Sequence, residues 1–276
     1  MTALLGPAEI RDLAALLDIQ PTKKLGQNFV VDGNTVRKIV RTAGVERGDE
    51  VLEVGPGLGS LTLGLLEAGA RVTAVEIDGR LAAQLPITVA ELIPDAALTV
   101  LHEDALRVSE ASAGSPARLV ANLPYNVSVP VILHLLETVP SLETALVMVQ
   151  AEVGERIAAA PGSKVYGSPS VKAAWWGRWS TAGKVSRQVF WPVPNVDSIL
   201  VSFERGALPG TEEERVRTFA LVNAAFGQRR KMLRQALAEL FDGSAAASAR
   251  LEAAGVDPTR RGEQLTVADF LAIARS

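Results

Sequence analysis

The chain contains no cysteine and only two histidines, His102 and His134, among its 276 residues. Without thiols it forms no disulfides, no thiolate metal sites and no cysteine nucleophile. Two histidines are too few for a histidine-based metal site, and they are not spaced as metal ligands are. We therefore expect a protein that binds no metal.

Long apolar runs and a strong charge of one sign are also missing. No stretch approaches the ~18 apolar residues of a membrane span, and the start lacks the basic-then-apolar layout of a signal peptide. The formal net charge is −3, so a polyanionic partner would have to be bound by local basic patches. We expect a cytoplasmic, monomeric protein without a membrane partner.

Residues 50–62 read as an apolar strand, a glycine turn and the start of a helix. Gly55, Gly57 and Gly59 allow a turn that other residues would strain. The next predicted strand ends at Glu76, 21 residues after Gly55, and an acid ~20 residues on can bind ribose hydroxyls. This pattern indicates a nucleoside cofactor. It leaves S-adenosylmethionine, a nicotinamide dinucleotide and a merely structural turn open.

Helical and strand patterns alternate beyond this point, which predicts βαβ units and a mainly parallel sheet. Ligands of such sheets bind at the carboxyl ends of the strands. Gly55, Glu76, Asp104 and Asn122 each follow a predicted strand. We therefore expect these four residues to converge on one pocket.

The sequence pattern changes after Arg205, where Gly206, Pro209 and Gly210 indicate a linker. No strand pattern follows, and the remaining residues read as a few helices. We predict an α/β Rossmann-like domain over residues 1–205, with an N-terminal helical extension, and a small all-α domain over residues 206–276.

The segment Asn122-Leu-Pro-Tyr125 follows the fourth strand of the predicted sheet. The Asn122 side-chain carbonyl and the Leu123 backbone carbonyl can accept hydrogen bonds from the two N–H groups of an adenine amine. These bonds would localise the lone pair of the amine nitrogen. A dedicated general base is unnecessary, because the nitrogen becomes strongly acidic once methylated. Pro124 holds the turn rigid, and Tyr125 offers a face for base stacking. An ordinary strand-end turn is the alternative interpretation.

At this point the chain resembles the KsgA/RsmA family of small-subunit ribosomal RNA adenine dimethyltransferases. The matching segments run in the family's order from residue 24 to about residue 234, and a C-terminal signature follows them. They are Lys24–Phe29, Glu53–Thr62, Glu76–Asp78, Asp104-Ala105, Asn122–Ser128, Phe190-x-Pro-x-Pro-x-Val-x-Ser198, Ala225–Leu233 and Arg261–Leu265.

The resemblance implies a seven-stranded Rossmann-like methyltransferase domain, S-adenosylmethionine as cofactor and a helical domain that binds RNA or the ribosome. The implied reaction places two methyl groups on N6 of each of two adjacent adenosines. These lie in the 3′-terminal hairpin loop of 16S rRNA, in the 30S subunit or its precursor. The implied cofactor contacts are Asn28, Val30, Gly55, Gly57, Glu76, Asp104 and Asn122.

Roles carried over with the resemblance are specific to single residues. Glu76 is expected to hold the ribose and Asp104 the adenine amino group. Phe190 is expected to form the second face of a stack with Tyr125 that grips a flipped-out base. The implied catalytic set is Asn122, Leu123, Pro124, Tyr125 and Phe190.

Two basic stretches are candidates for binding RNA. Arg229, Arg230, Lys231 and Arg234 place four positive charges within six residues. We interpret them as a phosphate-binding edge of one helix, although a solvated helix face is the alternative. A second candidate patch near the expected cofactor entrance consists of Lys23 and Lys24, with Arg37, Lys38 and Arg41.

Rival functions remain open at the level of the sequence. They are an Erm-type 23S rRNA adenine methyltransferase, a DNA adenine methyltransferase, a ribosome assembly factor whose main role is binding, and a nicotinamide-dependent dehydrogenase. The Asn122–Tyr125 segment argues against the last of these.

Overall fold

The computed structural model describes residues 4–19 and 28–276. Lys23 and Lys24 lie outside the described residues. The strands are β1 (Phe29–Val30), β2 (Glu50–Val54), β3 (Arg71–Glu76), β4 (Leu98–His102), β5 (Arg118–Asn122), β6 (Thr144–Gln150), β7 (Gly177–Val185), β8 (Phe190–Trp191) and β9 (Ser198–Arg205).

Helices connect these strands and form the C-terminal part of the chain. They are α1 (Pro7–Leu16), α2 (Gly33–Thr42), α3 (Ser60–Glu67), α4 (Gly79–Leu92), α5 (Glu110–Ala113), α6 (Ser128–Thr138), α7 (Ala151–Ile157), α8 (Ser168–Ala174), α9 (Glu212–Gly227), α10 (Leu233–Ala236), α11 (Ser244–Ala253) and α12 (Val267–Arg275). In the described part of the chain, no helix is long and apolar enough to cross a membrane.

Seven of the described strands form one sheet, in the order β4-β3-β2-β5-β6-β9-β7. The pairings from β4 to β6 are parallel, and β9 pairs antiparallel with β6. The central strands are almost completely buried because they carry continuous apolar runs, as Leu119–Ala121 and Ala145–Val149 do. The predicted mainly parallel, seven-stranded Rossmann-like fold is confirmed.

The order of the strands reverses beside β2. The chain passes outward from β2 through β3 to β4, then returns to place β5 on the other side of β2. At such a reversal the connecting helices leave in opposite directions, which opens a crevice at the carboxyl ends of the two strands. The crevice lies where Val54 ends β2 and Asn122 ends β5.

The chain divides into two compact units. One unit comprises residues 1–154 and 180–204, and the other comprises residues 155–179 and 205–276. These units differ from the predicted ranges 1–205 and 206–276, because residues 155–179 group with the C-terminal helices. Val171 and Tyr166 explain the difference: both are buried in the apolar core of the helical unit, and the Tyr166 hydroxyl donates to the Leu265 carbonyl at 2.8 Å.

The prediction that Arg229, Arg230, Lys231 and Arg234 lie on one helix is wrong. Arg230 and Lys231 lie in a turn after α9, α10 is only four residues long, and a short 3-10 helix, Ala238–Leu240, follows it. The backbone N–H groups of Leu233 and Arg234 donate to the carbonyl groups of Arg260 and Pro258. Contacts with this distant segment replace the helical hydrogen bonds that local propensity favours.

Candidate functional site

One pocket opens at the strand-order reversal, within the first unit. Its walls come from the ends of β2, β3 and β5 and from the residues around β1. The lining residues are Asn28, Phe29, Val30, Glu53, Gly55, Pro56, Gly57, Leu58, Ser60, Leu61, Glu76, Ile77, Asp78, Leu81, Asn122, Leu123, Pro124 and Tyr125. The topology thus brings segments almost 100 residues apart in the chain to a single crevice.

The glycine turn has the backbone conformation predicted from the sequence. Gly55, Gly57 and Gly59 have φ angles of 68°, 58° and 93°, a region that side chains disfavour. A Cβ on Gly57 would lie 2.8 Å from a Phe29 ring carbon. The turn therefore requires glycine both for its conformation and for the close approach of β1.

Glu76 lies at the end of β3 with both carboxylate oxygens engaged. Its Oε2 accepts the Gly57 N–H at 3.2 Å and its Oε1 accepts the Asp78 N–H at 2.9 Å. Burial raises the pKa of Glu76, and these backbone hydrogen bonds oppose that rise. Glu76 therefore ties the glycine turn to the end of β3, with its carboxylate in the pocket wall.

Glu53 is a second carboxyl group in the pocket wall, and it is only 1% exposed. Its Oε2 accepts a hydrogen bond of 2.6 Å from the Thr62 hydroxyl on α3. Burial raises the pKa of Glu53 to about 8, the Thr62 hydrogen bond lowers it in part, and the charge of Glu76 raises it further. At neutral pH this carboxyl group is therefore mainly protonated.

Asn122 contacts the segment before β1. Its Nδ2 donates to the Asn28 carbonyl at 3.1 Å, which leaves the side-chain oxygen Oδ1 as the acceptor. Leu123 is held by donation of its N–H to the Met148 carbonyl at 3.1 Å. Pro124 lies against the glycine turn, 3.5 Å from the position that a Gly55 Cβ would take. The Asn122–Pro124 segment is thus held by the residue before β1, by the end of β6 and by the glycine turn.

Tyr125 lies at the edge of the pocket and is partly exposed. Its hydroxyl is 2.8 Å from the hydroxyl of Ser198, the first residue of β9. Burial raises the pKa of Tyr125, and the hydrogen bond with Ser198 opposes that rise. The ring is therefore tethered at its hydroxyl, and Tyr125 contributes to the pocket wall.

Most of the predicted site residues line this pocket. They are Asn28, Val30, Gly55, Gly57, Glu76, Asn122, Leu123, Pro124 and Tyr125. Asp104 and Phe190 are not among the described lining residues. Asp104 follows the edge strand β4, two strands away from the reversal, and its Oδ1 accepts the Leu106 N–H at 3.0 Å.

Phe190 is 2% exposed and belongs to the apolar core of the first unit. Its strand β8 pairs with β1, where Phe190 stands opposite Val30. No ring contact between Phe190 and Tyr125 is present among the described residues. The proposed stack of these two rings stays a prediction.

Glu53 and Ser198 are two residues at the site whose roles were not predicted from the sequence. A signal for Glu53 was present, because a charged residue interrupts the apolar run Val51–Val54 on a strand that is buried on both faces. Ser198 ends the matching segment Phe190-x-Pro-x-Pro-x-Val-x-Ser198, but that match by itself indicates no partner for its hydroxyl. Only the fold brings it to Tyr125.

Comparison with known proteins adds to this geometry. The family model for ribosomal RNA adenine dimethylase matches residues 20–276. The protein named Ribosomal RNA small subunit methyltransferase A from Leifsonia xyli subsp. xyli is 73% identical over 98% of this chain and 98% of its own length. The chain belongs to the ribosomal RNA adenine dimethylase family.

Two crystal structures in this comparison have similar folds. A dimethyladenosine transferase from Plasmodium falciparum aligns with a TM-score of 0.72 and 23% identity, over 88% of this chain and 94% of its own. The 23S rRNA methyltransferase ErmE aligns with a TM-score of 0.64 and 27% identity, over 90% of this chain and 98% of its own. The family model and the relative from Leifsonia xyli confirm the predicted family membership, and these two structures support the predicted fold.

The second unit contains four of the candidate RNA-binding residues, and their environments differ. They are Arg229, Arg230, Lys231 and Arg234. Arg229 pairs with Glu263 at 2.8 Å and donates to the Lys164 carbonyl. Arg234 lies close enough to Asp257 to lower the pKa of that carboxyl group, after the larger effect of hydrogen bonds from Thr259. Arg230 and Lys231 are exposed and form no ion pair within residues 28–276.

The buried carboxyl group of Glu53 predicts a pH-dependent stability. Its pKa is about 8 in the folded chain and 4.5 as the reference value, so the unfolded chain binds fewer protons between these values. The free energy of unfolding contributed by this group is therefore fully present below about pH 4.5 and is lost as the pH rises through about 8. We expect Glu53→Gln, which keeps an acceptor for Thr62, to make the thermal midpoint less sensitive to pH across this window.

The matched control is Glu91→Gln, at an exposed position of α4. This variant should retain the pH dependence of the unmodified protein. Equal pH dependence of the midpoint in the unmodified protein and in Glu53→Gln would show that Glu53 is not protonated at neutral pH.

Proposed function

We propose that the protein transfers methyl groups from S-adenosylmethionine to N6 of two adjacent adenosines in the 3′-terminal hairpin loop of 16S rRNA. Each adenosine receives two methyl groups. The observation that carries the proposal is the meeting of the glycine turn and the Asn122–Tyr125 segment in one pocket at the strand-order reversal. The relative that is 73% identical, named for the small ribosomal subunit, supports 16S rRNA as the substrate.

The cofactor would occupy the crevice between the ends of β2, β3 and β5. Its adenosine would lie against the glycine turn, with the ribose hydroxyls on the Glu76 carboxylate, which keeps lone pairs beyond those used by Gly57 and Asp78. Asn28 and Val30 would border the entrance. Asp104 is not among the described lining residues, so it would reach the adenine amino group from the loop that follows β4.

Two acceptors and a stacking face can prepare the target amine. S-adenosylmethionine supplies an electrophilic methyl group. Asn122 Oδ1, oriented by the donation of Nδ2 to Asn28, and the Leu123 carbonyl would accept the two amine N–H bonds and aim the nitrogen lone pair at the methyl carbon. Methyl transfer to the nitrogen would release the sulfur as a neutral thioether, and the proton lost by the acidic methylated nitrogen would pass to water, so no side-chain base is required. Tyr125 would hold the base by stacking.

The exposed cations of the second unit would meet the RNA backbone. Arg230 and Lys231 have no anionic partner among the described residues, whereas Glu263 already neutralises Arg229. We therefore assign the larger share of phosphate binding to Arg230 and Lys231, with smaller contributions from Arg229 and Arg234. Lys23 and Lys24 remain a second proposed patch. The protein would act as a monomer in the cytoplasm.

A 23S rRNA methyltransferase activity is the second candidate, because ErmE shares 27% identity over 90% of this chain. A role confined to binding during subunit assembly is a third possibility. The deciding experiment is methyl transfer from labelled S-adenosylmethionine to 30S particles that lack the 3′-terminal dimethyladenosines, with 50S particles alongside. We expect label at two adjacent adenosines of the 30S particle only.

Other outcomes of this assay have definite meanings. Labelling of the 50S particle alone would replace the proposed substrate with 23S rRNA. Binding of 30S particles without any labelling would favour the binding role.

The site proposal predicts that cofactor binding and turnover respond to different residues. Glu76→Ala removes a charged acceptor worth ~1.5–3 kcal/mol, so we expect S-adenosylmethionine affinity to fall about 10- to 150-fold. Tyr125→Ala should leave that affinity within about twofold and lower turnover on 30S particles much more. Calorimetric titration and initial rates measure the two effects, and the reverse pattern would contradict the assignment.

The assignment of phosphate contacts predicts a difference between two arginines of the second unit. Arg230→Ala should weaken 30S binding and reduce the slope of log K against log salt concentration by about 1. Arg217→Ala removes the same charge from α9, but Arg217 pairs with Glu213, so this control should leave the slope unchanged. Filter binding over a salt series measures both, and equal slopes would exclude Arg230 from the RNA contact.

A further inference from the structure

Ser198 is fully buried, with 0% exposure, at the start of β9. Its hydroxyl is 2.8 Å from the hydroxyl of Tyr125, 73 residues earlier in the chain. Both residues belong to the first unit. Ser198 is not among the residues that line the pocket, whereas Tyr125 is. The serine therefore contacts the hydroxyl end of a residue that lines the pocket.

The position of Ser198 is rigid. Its strand β9 pairs with β6, where Ser198 stands opposite Gln150. The preceding residue, Asp197, accepts the Ala151 N–H at 2.9 Å through its backbone carbonyl, and the following residues, Ile199–Val201, are buried. A hydroxyl on this strand is thus a fixed point in the first unit, as strand-borne groups generally are.

Tyr125, in contrast, lies in a turn after Pro124 and is partly exposed. Two side-chain torsions set the direction of its ring. A hydrogen bond at the hydroxyl, the atom farthest from the backbone, restricts both torsions together. Aromatic stacking depends on the angle and offset of the rings, so this restriction determines whether the ring can serve as a stacking face.

The hydrogen bond is also required by the serine. A buried hydroxyl without a partner loses its hydration uncompensated, and in the described structure the Tyr125 hydroxyl is the side-chain partner of Ser198. Phenylalanine at position 125 would keep a stacking face but would leave Ser198 unsatisfied. The two hydroxyl groups therefore depend on the same hydrogen bond.

We propose that Ser198 is a positioning residue that holds the Tyr125 ring at the angle required to stack on the target adenine. This inference rests on the proposed function, because it concerns how that function's target base is held. Ser198 does not touch the base or the cofactor. Its effect reaches the reaction only through Tyr125.

The test is a double-mutant cycle with Ser198→Ala and Tyr125→Phe. We expect either change alone to lower kcat for 30S methylation about 3- to 10-fold, the effect of one neutral hydrogen bond, with S-adenosylmethionine affinity unchanged. The double variant should be no slower than the worse single variant, because both changes remove the same interaction. Additive losses would overturn the proposal, as would a loss confined to cofactor affinity.

A matched control is present on the same strand. Ser202 also forms a hydroxyl–hydroxyl contact of 2.8 Å, with Ser180, but on an exposed part of β9. Ser202→Ala should retain full kcat. A loss equal to that of Ser198→Ala would show a general effect on β9 and would overturn the positioning role.

Thermal unfolding tests the hydrogen bond without any substrate. The four proteins compared are the unmodified protein, Ser198→Ala, Tyr125→Phe and the double variant. Non-additive losses of stability are expected if the two hydroxyls bond each other, and additive losses would refute the pairing. The unmodified protein, assayed first on 30S and 50S particles, tests the proposed function separately. Failure of that function and failure of the Ser198 inference therefore give different results.

Discussion

The reversal of strand order beside β2 is the constraint on which the site depends. Parallel strands deliver their carboxyl ends to one edge of the sheet, but only at the reversal do the covering helices diverge and leave a crevice. Gly55 directly follows β2 and Asn122 ends β5, the two strands that border the crevice. Asp104 follows β4 at the edge of the sheet and is not among the described lining residues of the pocket. Position in the sheet, and not the residue type alone, decides which polar groups face the pocket.

The electrostatics of the crevice follow from its burial. Glu53 and Glu76 both lie in its wall, and burial raises the pKa of each. No basic side chain within residues 4–19 and 28–276 pairs with either carboxyl group, and such a wall favours the uptake of protons or of a positively charged ligand. The proposed cofactor carries a sulfonium and an ammonium group, so its charge suits this wall. The hydrogen bonds from Thr62 and Gly57 then serve to orient the carboxyl groups.

The second unit illustrates how charge in a sequence differs from charge available for binding. Four cations within six residues read as one basic helix face, yet the helix breaks and Arg229 is neutralised by Glu263. Glu263 belongs to the C-terminal family signature, and Gly262 beside it would place a Cβ 3.0 Å from that of Ala225. The two signatures of this unit are thus in contact. Their pairing, which the linear pattern conceals, leaves Arg230 and Lys231 exposed.

Local patterns in the sequence determined the alternation of strands and helices in the first unit, the glycine turn and the strand-end residues Glu76 and Asn122 of the pocket. Strand periodicity, positive-φ glycines and strand-end polar residues are properties of short segments, so they can be read without the fold. Only the tertiary structure decided that residues 155–179 belong to the helical unit and that Phe190 is buried. It also decided the raised pKa of Glu53 and the contact between Tyr125 and Ser198. Each of these depends on which distant segment lies nearby, because burial and long-range hydrogen bonds are absent from the local pattern.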